Sequence, residues 1–99
     1  MKLFYTEQSL ASLQECLDFF PSEVSGQKVK EIRDRILAKA DKLLTTPYIG
    51  QQEEYLAHLN KDHRRLIEGN YKIIYRVLGE NIYITDIFDN RQDPAKMKS

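Results

Sequence analysis

Two apolar runs in the second half of the chain, Tyr71 to Leu78 and Ile82 to Phe88, most narrow what it can fold into. Each has the length of a strand and is rich in isoleucine, tyrosine and other β-favouring residues. Gly79-Glu80-Asn81 between them suits a short hairpin turn. Upstream, Arg65-Leu66-Ile67-Glu68 reads as another strand, joined to the first run by Gly69-Asn70. Glycine and asparagine are the residues that best tolerate a tight-turn backbone. Three strands linked in this way form an antiparallel β-meander. Tyr71, Ile73, Tyr75 and Val77 alternate with Lys72, Ile74 and Arg76, so the odd positions are expected to face a buried layer.

The layer to bury them lies upstream. Leu10, Leu13, Leu17 and Phe20 recur at helical spacing behind Thr6, an N-cap residue, with Glu7 in the first turn and Pro21 as the stop. Ser22 is placed to cap a second, longer helix. In it Val29, Ile32, Ile36, Leu37, Ala40, Leu43 and Leu44 make an apolar stripe beneath a charged outer face. Thr45-Thr46-Pro47 ends it, because a residue before proline avoids the helical region. Lys2 to Tyr5 reads as a leading strand at the sheet edge or within it. The polar stretch from Tyr48 to Asp62 is a connection with some helix near Glu53 to Leu59, and the segment from Asn90 onward either extends over the sheet or frays. The order β-α-α-β-β-β describes an α+β fold, a helical hairpin packed on one face of a small, mainly antiparallel sheet.

With 99 residues the chain is expected to be a single domain, 1–99. Its 41% hydrophobic and 30% charged residues exclude a disordered tail or a membrane protein. No apolar run approaches the roughly 18 residues of a membrane span, and the opening residues lack a charged-then-apolar leader. One cysteine, Cys16, has no internal partner, which fits the cytoplasm as the expected location. Fifteen basic and fifteen acidic residues cancel, so attraction to an anionic target must come from a local patch. There is no metal-ligand cluster and no glycine-rich phosphate loop, and nothing in the chain asks for a cofactor.

Particular residues carry a resemblance. Arg65-Leu66, then Gly69-Asn70-Tyr71-Lys72-Ile73-Ile74-Tyr75-Arg76-Val77, the run Ile82 to Phe88, and Asn90-Arg91-Gln92-Asp93-Pro94 follow one pattern. It is similar to the R-L, G-x-Y-R-I-x-Y-R-V, β run and R-x-D-P pattern of ParE-like proteins. Pro47-x-x-Gly50 after the long helix fits as well. The chain resembles the RelE/ParE superfamily, toxins of type II toxin–antitoxin (plasmid stabilisation) modules, over essentially its whole length.

The resemblance implies two activities. ParE-like members poison DNA gyrase by binding. RelE-like members are ribosome-dependent mRNA endoribonucleases, which need cations against a charge-rich transition state and a group for proton transfer. His63, Arg65, Lys72 and Arg91 fall on positions that are basic in those nucleases, and are the catalytic candidates if the chain is one. Alternation could aim Arg65 and Lys72 at one surface. Asp89 and Met97 stand where a proton-shuttling His or Tyr is expected. An exposed carboxylate at Asp89 suits that task poorly. His63, between Asp62 and Arg64, also reads as a solvated loop residue, and His58 has less claim. Glu53-Glu54 reads as a charged patch on a connector, Tyr83 as a packing residue and Cys16 as an inert thiol. These features favour gyrase inhibition over mRNA cleavage, with a scaffold that has lost toxicity as a third reading. The resemblance further implies a cognate antitoxin that folds onto the hairpin and a sheet edge in a hetero-oligomer, with Phe19, Phe20, Tyr48 or Tyr55 lining a groove between the helices.

Overall fold

The computed structural model describes residues 1–99. Strand β1 (Lys2–Tyr5) leads into helix α1 (Glu7–Asp18), then α2 (Gly26–Asp41), which tightens into a 3-10 turn over Lys42–Leu44. A two-residue strand β2 (Gln51–Gln52) precedes a 3-10 segment (Glu54–Leu59). The meander follows as β3 (Arg64–Glu68), β4 (Tyr71–Leu78) and β5 (Asn81–Asp89), and a last 3-10 turn covers Pro94–Lys96. The sheet order is β1-β5-β4-β3-β2. β1 lies parallel to β5 at one edge, and every other pair is antiparallel. The expected α+β architecture is present, with the leading strand at the edge and a short strand, β2, added at the other edge.

Local chemistry sets the helix boundaries. Thr6 is extended, and its hydroxyl oxygen accepts from the Ser9 amide at 3.1 Å while its hydroxyl donates to the Ile84 carbonyl at 3.0 Å. One side chain thereby caps α1 and ties it to β5. α1 ends at Asp18, two residues short of the expected Phe20. Pro21 closes a separate turn with Val24, so Ser25, not Ser22, caps α2 by accepting from the Lys28 amide.

The principal core lies between hairpin and sheet. Leu13 and Cys16 from α1, Ile36, Ala40 and Leu43 from the α2 region, and Ile73, Tyr75, Ile82, Ile84 and Ile87 from the sheet are buried together, with Val77 partly buried against them. The expected alternation along β4 is what the structure shows. β5 departs from it through a β-bulge: Ile74 pairs with Asp86 but Tyr75 with Ile84, so Thr85 is skipped. This explains why the inward isoleucines are spaced two and then three residues apart. On the other face Leu56, Ile74, Phe88 and Met97 form a second, smaller buried cluster beside Leu59. The 3-10 segment at Glu54–Leu59 and the residues after Pro94 therefore cap part of that face, and the closing segment does not fray.

Candidate functional site

The four basic candidates come from β3 and the residue just before it, from β4 and from the turn after β5, and the structure does not gather them into one open patch. Lys72 and Arg65 converge on a carboxylate. Glu53 is 1% exposed; its Oε1 lies 2.9 Å from Lys72 Nζ and 3.8 Å from Arg65 Nη1. Its other oxygen accepts from the Tyr55 amide at 3.1 Å and so caps the 3-10 segment. Arg65 also donates to the Gln52 carbonyl at 2.6 Å and to the Gln51 side chain at 3.1 Å. Lys72 sits 5.4 Å over the Tyr55 ring. Glu53 is thus no surface patch on a connector. The backbone hydrogen bond from its amide to the His63 carbonyl at 2.8 Å extends the β2–β3 pairing and turns its side chain inward between two cations. The sequence carries no separate signal for this, since Glu53 and Glu54 look alike until the sheet register is known.

Arg91 is bound as closely. Its guanidinium grips Asp89 with Nε at 2.9 Å from Oδ1 and Nη2 at 2.7 Å from Oδ2, and its amide donates to the same carboxylate. Asp89 is buried, not exposed as expected, and these Arg91 hydrogen bonds hold its pKa below the ordinary carboxylate value. Arg91 lines a cavity of about 170 Å³ with Phe20, Ile32, Arg35 and Tyr71, between the hairpin and the β3–β4 turn.

His63 is a buried residue and not a solvated one. Its Nε2 lies 3.3 Å from the Ser99 carbonyl, to which it donates, leaving Nδ1 without a partner. Burial pushes its pKa down, the Ser99 contact opposes this, and Arg76 and Lys61 reinforce it. A neutral imidazole enclosed in this way is poorly placed to shuttle protons. Met97 is buried in the second cluster. Asp86, inside β5, is 2% exposed with its pKa raised by desolvation, and its Oδ2 accepts from the Lys98 amide at 2.9 Å. Cys16 is buried as expected, its thiol pushed up to about 11 by desolvation and by Asp89, Asp86 and Glu15. No group of three or more His, Cys, Asp or Glu residues is placed to hold a metal ion.

The expected aromatic groove divides. Phe20 lines the cavity beside α2, and Phe19 is 85% exposed next to it. Tyr48 lies elsewhere, with the Arg64 guanidinium 5.2 Å above its ring, and Tyr55 is held over Lys72. Both belong to the region of β2 and β3, because their loop is tied there. Gly50 explains why: its amide donates to the buried Tyr75 hydroxyl at 2.9 Å, and a Cβ on it would stand 2.6 Å from that oxygen and from the Arg65 carbonyl. No helix of the chain is long and apolar enough to cross a membrane.

Comparison with known proteins agrees with the architecture. The family model described as the ParE toxin of the type II toxin–antitoxin system, parDE, matches residues 3–94. Among solved structures, a chain of the chromosomal ParDE TA system from P. aeruginosa is similar with a TM-score of 0.74. It is 21% identical, and the match covers 90% of this chain and 95% of that one, a likeness of fold. No curated protein sequence matches.

Proposed function

The chain belongs to the ParE toxin family of type II toxin–antitoxin systems, and from that premise we propose that it acts in the cytoplasm by binding, as an inhibitor of DNA gyrase neutralised by a cognate antitoxin. In this reading residues 1–99 work as one toxin domain. The observation that supports binding over cleavage is the pairing of the basic candidates: Lys72 and Arg65 share the single carboxylate of Glu53, at 2.9 and 3.8 Å, and Asp89 pairs with Arg91. A nuclease needs cations free to meet a phosphate and a group that exchanges a proton near neutral pH. Buried, neutral His63 meets the second need poorly.

The antitoxin has a surface suited to it. Phe19 stands exposed beside the Phe20–Ile32 cavity, and β2 forms one edge of the sheet. A partner segment that orders on this surface would bury the exposed ring. In the alternative nuclease reading Arg65, Lys72, Arg91 and His63 are the catalytic residues, and the ion pairs must open on the ribosome.

Purified protein, gyrase and relaxed plasmid decide between the two. Loss of supercoiling, or cleaved DNA trapped on the enzyme, is the expected result. Intact supercoiling together with ribosome-bound mRNA cut in the A site, and cutting abolished by Arg65→Ala or Lys72→Ala, would overturn the proposal. Co-expression of a neighbouring antitoxin reading frame should restore supercoiling.

A further inference from the structure

The segment Pro94–Ser99 crosses part of the sheet face opposite the hairpin, and few contacts hold it. Met97 is its only buried side chain and drops into the cluster of Leu56, Ile74 and Phe88. The Lys98 amide donates to Asp86 at 2.9 Å, and the Ser99 carbonyl accepts from His63 at 3.3 Å. The receiving groups belong to the body of the fold and are only half used, since Asp86 Oδ1 and His63 Nδ1 have no partner. Cavities border the segment on both sides. One, of about 360 Å³, lies between it and α1 and is lined by Ser12, Cys16, Asp86, Ala95 and Lys96. The other, of about 660 Å³, lies between it and the 3-10 segment and is lined by Tyr55, Leu59, Pro94 and Met97. The segment therefore forms a ridge within one wider depression.

We propose that this depression is a peptide-binding groove and that Pro94–Ser99 is its displaceable, built-in occupant. Its own contacts define the ligand: an extended polypeptide with an unbranched apolar side chain at one position. The next residue offers a main-chain N–H to Asp86, and the one after it a carbonyl to His63. Two of the three contacts are main-chain, so the groove reads backbone direction and one apolar anchor and tolerates variation elsewhere. A partner segment of that chemistry would replace the strap residue for residue. This inference rests on the geometry of the strap and not on the gyrase reading, and its test contains no gyrase.

Cys16, the single cysteine, lines the cavity beside the strap and reports its position. In the full-length Met97→Asp chain the anchor becomes a charge that cannot stay in an apolar cluster, so the strap should lift and thiol labelling of Cys16 should accelerate about tenfold or more. An acetylated, amidated peptide copying Asp93–Ser99 should slow that labelling again, and the same peptide with aspartate for methionine should not. Labelling unchanged by Met97→Asp, or acceleration that the peptide fails to reverse, overturns the proposal. Should the variant lose its cooperative urea transition, amide exchange in the unaltered chain decides instead. The Lys98 amide is expected to exchange through a local opening well ahead of the β4 and β5 amides, and equal protection of the two overturns the proposal.

Discussion

Glu53 shows how much one side chain can decide. With the carboxylate 1% exposed between Lys72 and Arg65, its substitution leaves two partly buried cations facing each other. Breaking such a pair from one side is costlier than removing both partners, because the remaining charge stays desolvated. Glu53→Gln is expected to cost about 3 kcal/mol of stability, read as a lower urea midpoint at unchanged slope. A loss under about 0.5 kcal/mol, the size of an exposed pair, would show that water reaches the cluster. Lys72 was legible as a basic strand residue facing away from the helices. Its neutralisation was not, because Glu53 lies nineteen residues earlier and meets it only through the pairing of β2, β3 and β4.

At the level of elements, the caps separate local from tertiary effects. Ser25 and Thr6 each accept one amide hydrogen bond at a helix start, a contribution of about 1 kcal/mol. Thr6 also donates to the Ile84 carbonyl across to β5. Thr6→Ala is therefore expected to destabilise by about 1 kcal/mol more than Ser25→Ala, a buried hydrogen bond's worth. Equal losses in thermal unfolding would mean that the link between α1 and β5 contributes nothing. The Thr6 cap was readable from the sequence, because a threonine before an acidic first turn is a local signal. The β5 bulge was not, since Ile82, Ile84 and Ile87 suit a strand in either register, and the pairing with β4 alone picks the skipped residue.

For the whole molecule, zero net charge at pH 7 keeps general charge repulsion small near neutral pH, so the pH dependence there comes from particular buried groups. His63 has a folded pKa below its unfolded 6.5. The unfolded chain then binds the proton first as pH falls. The neutral imidazole's contribution is complete above about pH 6.5 and declines as pH drops through that value toward the lower folded pKa. Asp86 runs the other way: its pKa is raised above 3.8, so its ionised form opposes folding at neutral pH and that cost disappears as pH falls through the raised value. Urea unfolding as a function of pH should show a flatter profile for His63→Gln between about pH 7 and 5. For Asp86→Asn the stability difference from the parent should grow in the variant's favour as pH rises from about 3.5 to 7. Profiles parallel to the parent's would show that neither residue contributes to the pH dependence of stability.

The meander, the hairpin, their order and the α+β class were determined by the sequence alone, because they rest on periodicity, turn residues and caps that act over a few positions. The strand run from Tyr71 to Phe88 also carries the family pattern. What only the tertiary structure decided is which charges remain free. Arg65, Lys72, Arg91 and His63 were readable as cations or potential cations, but Glu53, Asp89 and the Ser99 carbonyl reach them through strand pairing, a turn and a folded-back segment. Burial and pairing set the charge and pKa of a group, and for Lys72, Arg65 and His63 both depend on neighbours remote in the chain. The linear pattern therefore specified the scaffold, and the packing specified the chemistry on it.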